Sequence, residues 1–150
     1  MHQTLKTFGY PNTLVKEYKH WAIVTRRKQV TAGSLVLICT EDVTAFSDVS
    51  QAAMTELKQV VTDIELALTT AIDYEKINYL MLMMVDPHVH FHVFPRYKGA
   101  HQLNSLAVID HGFPGQPDLT KFVELDDEAL QNTTKLLQSF FKKVKPEAQS

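Results

Sequence analysis

The chain has 150 residues, of which 45% are hydrophobic and 21% charged, a balance that fits one compact domain with one core. Fifteen basic and seventeen acidic residues give a formal charge of -2, which argues against a general binding surface for nucleic acids or acidic membranes. The strongest apolar stretch, Tyr79 to Val85, is far shorter than the roughly 20 residues of a membrane span. We therefore expect a cytoplasmic protein that has neither nucleic acid nor membrane as a partner.

Two short segments near the start are predicted strands. Trp21 to Thr25 is β-branched and aromatic, and Leu35 to Cys39 has the same character. The intervening segment 26–33 carries three cations and ends at Gly33, which suits a turn. The single cysteine, Cys39, lies in the second apolar run, so we expect a buried structural thiol without a catalytic role.

The middle of the chain changes its hydrophobic period. After Ser50, a suitable N-cap, apolar residues recur every three or four positions and predict a long amphipathic helix; they are Met54, Leu57, Val60, Val61, Ile64, Leu68 and Ile72. The segment Ile77 to Val85 is apolar almost throughout, which predicts a strand buried on both faces with its methionines in the core.

A strict alternation follows. From His88 to Phe94, histidines occupy one side of a predicted strand and apolar residues the other, and Pro95 closes the run. Segment 98–119 gives no clear pattern. Acidic residues from Asp126 then precede an apolar helical stripe with lysines at its end, which predicts a C-terminal helix that Pro146 terminates. Together these elements predict an α+β domain with an antiparallel meander.

The alternating histidines carry the chemistry. Residues two apart in a strand lie about 6.6 Å apart and point the same way, so His88, His90 and His92 would form a row of imidazoles. Because imidazole titrates near neutrality, a neutral ring can attack phosphorus while a charged ring donates a proton or binds phosphate oxygens. Positive neighbours also lower the pKa of each ring and favour a free nucleophile.

Two other interpretations of the histidines stay open. They can be surface residues on an exposed strand without a role, or two of them can ligate an adventitious or structural zinc ion. A zinc site lacks support elsewhere in the sequence, which has no cysteine pair and no second His-x-His pattern. We therefore expect no metal ligand and no required cofactor.

The run Asp86-Pro87-His88-Val89-His90-Phe91-His92-Val93-Phe94-Pro95-Arg96 resembles the signature of the histidine triad (HIT) family. The resemblance implies a five-stranded antiparallel sheet with a long helix and a C-terminal helix. It also implies a homodimer in which two sheets pair into ten strands. We accordingly expect a single HIT-like domain over 1–150, with a core at about 8–97 and a C-terminal extension at 98–150.

The same resemblance implies hydrolysis or transfer at the α-phosphate of a nucleotide derivative. The substrate would be a dinucleoside polyphosphate, a nucleoside phosphoramidate or a nucleotide sugar, with diadenosine tetraphosphate hydrolysis as the leading guess. By motif position His90 would be the nucleophile and His92 would assist the leaving group and contact phosphate, while His88 would orient the catalytic ring. A nucleotide-binding regulatory protein with little turnover is the alternative.

Four further residues are candidates for binding the nucleotide. Thr25 and Arg26 occupy the end of the first predicted strand, where the family commonly holds the ribose, and Asn78 could bond ribose or phosphate. Arg96 could pair with a terminal phosphate or form a surface salt bridge. The chain departs from the family pattern in three places, and the first is Thr25 and Arg26 where members commonly have an acidic or amide residue. Ser34 stands where many members have a fourth histidine, and segment 83–87 replaces a Gly-Gln phosphate loop.

Overall fold

The computed structural model describes residues 1–144. Its elements in chain order are α1 (Gln3–Thr7), β1 (Leu14–Glu17), β2 (Trp21–Thr25), β3 (Lys28–Gln29), β4 (Leu35–Cys39), a 3-10 turn (Phe46–Asp48), α2 (Gln51–Ile72), β5 (Lys76–Leu80), β6 (His90–Arg96), β7 (Ala100–Leu103), β8 (Leu106–Ile109), β9 (Val123–Glu124) and α3 (Asp127–Lys142). None of the helices in this range is long and apolar enough to cross a membrane.

A five-stranded sheet in the order β1-β2-β4-β6-β5 forms the centre, and every neighbouring pair is antiparallel. The expected five-stranded sheet with a long helix and a C-terminal helix is thereby confirmed. In the central pair, Ile38 lies opposite His90 and Val36 lies opposite His92. Strand β4 therefore fixes where the two histidines stand on the sheet.

Both longer helices start at a side-chain cap. The Ser50 hydroxyl accepts a hydrogen bond from the Ala53 amide, as predicted, and the Asp126 carboxylate accepts one from the Ala129 amide. Helix α2 ends at Asp73 in the left-handed conformation. Helix α3 ends at Lys142, and the predicted stop at Pro146 lies outside the described residues.

The two faces of the sheet are covered differently. Side chains of β2, β4 and β6 that face α2 and α3 form the larger core, which includes Trp21, Ile23, Leu35, Leu37 and Val93. The opposite face carries a smaller cluster in which the short helix α1 covers the sheet with Leu5, against Ala22, Val24, Val36 and Ile38. Because His90 and His92 follow the same alternation, they also lie on the α1 side.

The prediction of a doubly buried strand over Ile77 to Val85 is wrong. Strand β5 stops at Leu80 and forms an edge of the sheet, and Met84 and Val85 are 83% and 90% exposed. Met83 has a φ of 48°, which turns the backbone out of the extended conformation. Continuous apolar character here marks a loop beside a cavity rather than a core strand.

The triad strand begins later than predicted and runs further. Strand β6 spans His90–Arg96, so His88 precedes it and Pro95 lies within it, opposite Ile77 of β5. Pairing with β4 ends at Val93, so Pro95 stands beyond the part of β6 that has partners on both sides. The chain then forms the hairpin β7–β8 inside the segment that the sequence left unassigned.

Candidate active site

A cavity of about 830 Å³ opens on the α1 side of the sheet, with His90 and His92 in its wall. The remaining wall comes from the α1–β1 connection, the cationic segment 26–28, the loop after β5 and the start of α3; its residues are Thr7, Phe8, Gly9, Asn12, Thr13, Arg26, Arg27, Lys28, Leu82, Met83, Met84, Val85, Asp86, Leu119, Asp127, Leu130 and Gln131. On the other side of the strand, buried Val89 and Val93 anchor it in the core.

The His90 ring has a defined proton position. Its Nδ1 lies 2.6 Å from the main-chain oxygen of His88, and a carbonyl oxygen can only accept a hydrogen bond. Nδ1 therefore carries the proton, and the lone pair of a neutral ring is on Nε2. This is the tautomer that a nucleophilic imidazole needs.

The His92 ring has the opposite arrangement. Arg26 Nε donates a hydrogen bond of 3.3 Å to His92 Nδ1, because a guanidinium has no acceptor. In a neutral His92 the proton is consequently on Nε2. Burial, together with the charge of Arg26 and the neighbouring His90, lowers the pKa of His92 to about 3, so the ring is neutral at physiological pH.

The two rings are close and are held by aromatic neighbours. The centroids of His90 and His92 are 5.1 Å apart with an interplanar angle of 80°. Phe8 lies 5.6 Å from His90 and 5.8 Å from His92, and Phe94 stacks against His92 at 6.2 Å. The guanidinium of Arg26 lies 5.4 Å above the Phe94 ring, which keeps the cation beside His92.

His88 does not continue the predicted row of three rings. It precedes β6, and it is not among the described residues that line the cavity. Its ring instead stacks on His2 at 3.9 Å, with Nδ1 2.9 Å from the Thr4 hydroxyl and Nε2 2.7 Å from an Asp42 oxygen. The site therefore has two rings in the cavity, with the main chain of His88 behind the first.

Of the predicted nucleotide-binding residues, Arg26 alone reaches the cavity. Thr25 is buried on the other face, where its hydroxyl bonds that of Thr134 in α3 at 2.7 Å. Successive residues of a strand point to opposite faces, so Thr25 and Arg26 could not both face the site. The structure therefore places Thr25, a predicted ribose contact, outside the cavity wall.

The structure also places Arg96, a predicted phosphate contact, outside the cavity wall. Its side chain is 1% exposed, and Nε and Nη2 donate to the two carboxylate oxygens of Asp110 at 2.7 and 2.9 Å. Nη1 donates to Asn78 Oδ1 at 2.7 Å, so this amide is also occupied by the pair rather than directed at the cavity. The two buried hydrogen bonds to Asp110 tether the β7–β8 hairpin to the sheet and replace the surface salt bridge that the sequence suggested.

The cavity wall has a cationic side and an apolar side. Arg26, Arg27 and Lys28 line the first, and Arg27 is also bonded to the Leu125 carbonyl and to Asp127 at 2.9 Å each. The apolar side is the loop 82–85 with its exposed methionine and valine. Arg26 is tied further by a 2.6 Å bond to the Lys28 carbonyl.

Sequence reasoning missed several residues of this site. His2 and Thr4 lie in a polar N-terminal segment that shows no recognisable pattern, and Asp42 lies in a loop. The aromatic Phe8 before Gly9 was the one feature of the sequence that could have indicated these contacts. Ser34 replaces the family's fourth histidine, and its hydroxyl donates to the Thr31 carbonyl at 2.7 Å inside the turn. Within residues 1–144, no three His, Cys, Asp or Glu side chains are grouped to hold a metal ion.

Solved structures share this architecture. The chain is similar to a histidine triad protein from Sinorhizobium meliloti 1021, with 16% identity, a TM-score of 0.70 and coverage of 93% of this chain and 94% of that one. For a histidine triad protein from Marinobacter aquaeolei VT8 the values are 14%, 0.72, 97% and 97%. A uridylyltransferase matches at 12% identity and a TM-score of 0.62, over 90% of this chain and 43% of its own.

Comparison of the sequence with family models agrees with the geometry of the site. A search of curated proteins finds no significant match. The family model described as HIT domain matches residues 9–99, which is more than half of the chain and includes β6 and both cavity histidines. The chain therefore belongs to the HIT domain family.

Proposed function

We propose that this protein is a nucleotide hydrolase or nucleotidyl transferase that acts at an α-phosphate through a nucleotidyl-histidine intermediate on His90. The observation that carries the proposal is the pair of opposite tautomers in one cavity. His90 presents a lone pair on Nε2, fixed by the 2.6 Å bond from its Nδ1, and His92 presents an N–H on Nε2, fixed by Arg26. Nucleophile and hydrogen-bond donor are the two groups that displacement at phosphorus needs.

In the first step, Nε2 of His90 attacks the α-phosphorus. The P–N bond forms while the bond from phosphorus to the leaving oxygen breaks, and the electron pair departs with that oxygen. The phosphorylated ring then carries a positive charge, which the main-chain oxygen of His88 stabilises by accepting the Nδ1–H bond. In the second step, water attacks phosphorus and releases a proton to the solvent, and the electron pair of the P–N bond returns to Nε2.

The setting of His92 favours one kind of leaving group. A neutral ring with its proton on Nε2 donates a hydrogen bond to a phosphate or leaving oxygen, but it has no second proton to give away. Full protonation would require a proton on Nδ1, which faces the donor Nε of Arg26. We therefore expect phosphoanhydrides, whose phosphate leaves as an anion, to react faster than phosphoramidates, whose amine must be protonated.

The cavity walls suit the parts of such a substrate. Arg26 and Lys28 can neutralise a phosphate chain, since polyphosphates concentrate negative charge. The apolar loop with Met83, Met84 and Val85 offers polarizable surface for a nucleobase. Dinucleoside polyphosphates and nucleotide sugars fit both walls, with diadenosine tetraphosphate as the first substrate to test.

Membership of the HIT domain family supports this proposal. So does the similarity to a uridylyltransferase, a nucleotidyl-transferring enzyme by its name, whose fold this chain shares over 90% of its length. No cofactor enters the proposed steps. Because Zn²⁺ can bind paired histidines, the assays are run with and without a chelator, and a requirement for metal would contradict the cofactor-free chemistry.

The decisive experiment measures nucleotide release from diadenosine tetraphosphate and from adenosine phosphoramidate, with intact mass recorded after rapid mixing. The native chain should release nucleotide and gain the mass of one nucleotidyl group. His90→Asn should lose at least about 100-fold in rate and gain no mass. Turnover that survives His90→Asn would refute the mechanism.

His92→Asn is the matched variant, because an asparagine oxygen can still accept from Arg26 at the Nδ1 position. It should react roughly 10- to 100-fold more slowly yet still form the adduct, since the nucleophile is intact. If neither the native chain nor any variant turns over while AMP binds, the protein is a nucleotide-binding module and the enzymatic proposal falls.

The proposal includes a homodimer. Among the described strands β5 has β6 as its single neighbour, so one of its edges is free to pair with a second copy. Pairing of two such edges about a two-fold axis would give the ten-stranded sheet that the family resemblance implies. Sedimentation equilibrium should give twice the chain mass of 17.1 kDa, and a monomer at micromolar concentration would refute this part.

A further inference from the structure

Two N-terminal residues that precede the family-matched segment are buried against the triad. The match begins at residue 9, yet His2 is 8% exposed and Thr4 is 0% exposed. The first residues of a domain are ordinarily solvated unless specific contacts hold them. Here those contacts run to His88, whose main chain fixes the tautomer of His90.

Both nitrogens of His2 are occupied. Its Nδ1 accepts a hydrogen bond from the Leu5 amide at 3.3 Å, so the proton is on Nε2, which donates to the Cys39 carbonyl at 2.7 Å. The ring lies flat on His88, with centroids 3.9 Å apart and an interplanar angle of 3°. The His2 ring is therefore fixed in position against one face of the His88 ring.

Thr4 contacts His88 twice. Its hydroxyl oxygen lies 2.9 Å from His88 Nδ1 and accepts from the His88 amide at 3.4 Å. A hydroxyl that accepts from the amide still has its own proton to donate to Nδ1. Nε2 of His88 is then the protonated nitrogen and donates to Asp42 Oδ1 at 2.7 Å. One hydroxyl thus contacts both the ring and the main-chain amide of His88.

We infer that Thr4 and His2 are positioning residues for the nucleophile. They hold the His88 ring and amide, and the carbonyl of the same residue holds the Nδ1 proton of His90 at 2.6 Å. If residue 88 shifts so that its carbonyl turns away, His90 can carry its proton on Nε2, which is then no longer a nucleophile. This inference rests on the proposed function for its kinetic consequence, but its effect on the His90 proton does not depend on turnover.

The test compares Thr4→Val, which keeps the shape and removes the hydroxyl, with Thr4→Ser, which keeps the hydroxyl. Histidine-selective ¹⁵N NMR reports which nitrogen of His90 is protonated. The native chain and Thr4→Ser should show His90 protonated on Nδ1, whereas Thr4→Val should show a mixture of the two tautomers. In turnover, Thr4→Val should lose about 10- to 100-fold in kcat with little change in KM, and Thr4→Ser should recover most of the rate.

Thr134→Val is the matched control, because this buried threonine also loses a hydroxyl bond but lies on the opposite face. Its His90 spectrum and kcat should equal those of the native chain. His2→Ala, which removes the ring stacked on His88, should broaden the His90 signals and lower kcat by a smaller factor than Thr4→Val.

The two proposals fail in distinguishable ways. If the native chain has no turnover but Thr4→Val redistributes the His90 proton, the proposed function falls and the positioning role stands. If Thr4→Val retains both the His90 tautomer and kcat while folded, Thr4 merely anchors the N-terminus and the inference is overturned. Should Thr4→Val fail to fold, the spectrum of His2→Ala decides, and an unchanged His90 signal overturns it.

Discussion

His90 and His92 lie in one cavity with ring centroids 5.1 Å apart, yet they hold their protons on opposite nitrogens. Different neighbours cause the difference. A main-chain carbonyl accepts from His90, whereas a guanidinium donates to His92. Two chemically identical side chains on one strand therefore present a lone pair and an N–H to the same space, which makes a division of labour between nucleophile and donor possible.

Arg26 fixes the tautomer of His92 and lowers its pKa, so Arg26→Met should change both properties. Removing the cation deletes one of the causes that lower the pKa of His92, so that pKa should rise, although burial, the larger cause, keeps it below 6.5. His92 can then take a second proton on Nδ1. The ratio of phosphoramidate to phosphoanhydride turnover should increase, while KM for the anhydride rises because a cation has left the wall.

¹⁵N NMR titration of His92 measures the first effect, and paired substrate assays measure the second. Arg27→Met serves as the control, since Arg27 is bonded to Asp127 and the Leu125 carbonyl and does not contact His92. A His92 titration that is the same in Arg26→Met and in the native chain would contradict the assignment.

The origin of the site explains what the sequence could predict. Strands Trp21–Thr25 and Leu35–Cys39 and the Ser50 cap were confirmed, because local composition and period determine them. The positions of His90 and His92 on one face also follow from alternation within a strand. The position of the His88 ring does not follow from this alternation, because its partners Thr4 and Asp42 lie 84 and 46 residues away.

Arginines show the same limit. Position along the chain does not separate Arg26, which reaches the cavity, from Arg96, which is buried, since both stand at the end of a strand. Only the hairpin β7–β8 brings Asp110 to Arg96, and that hairpin gave no periodic signal. The loop 82–85 was misassigned for a related reason, because apolar residues that line a cavity have the composition of core residues.

The buried pair of Arg96 and Asp110 should matter for stability rather than catalysis. Asp110→Asn leaves the Arg96 cation without its counter-charge at a site where both side chains are 1% exposed. Breaking such a pair costs about 3–5 kcal/mol in the free energy of unfolding. Arg27→Gln, at an exposed ion pair, should cost less than about 1 kcal/mol. Urea denaturation measures both, and a loss below about 1 kcal/mol in Asp110→Asn would show that the pair is dispensable.

Acid should destabilise the fold partly through His92. Its pKa is about 3 in the folded chain and about 6.5 when unfolded, so between these values the unfolded chain binds more protons. Stability therefore falls as pH decreases from 6.5 towards 3, by about 2 kcal/mol at pH 5 from this residue. Burial lowers the pKa of His2 as well, so His2 also contributes to a loss of stability as the pH decreases.

His92→Asn removes this titration, so its stability should differ less between pH 7 and pH 5 than that of the native chain. Urea denaturation at the two pH values measures the difference, and His111→Asn, at an exposed histidine, should behave like the native chain. An equal acid sensitivity of His92→Asn and the native chain would mean that His92 is not held neutral by the fold.

The exposed loop after β5 should contribute to substrate binding. Met84 and Val85 are 83% and 90% exposed, so Met84→Ser with Val85→Ser should change the free energy of unfolding by less than about 0.5 kcal/mol. If a nucleobase covers them, the lost apolar burial should raise KM about 5- to 10-fold with kcat nearly unchanged. Ile109→Ser removes a half-exposed apolar side chain on β8, outside the cavity, and should leave KM unchanged. A KM equal to that of the native chain in the double variant would mean that the base packs elsewhere, because Met84 and Val85 are then not covered by the bound substrate.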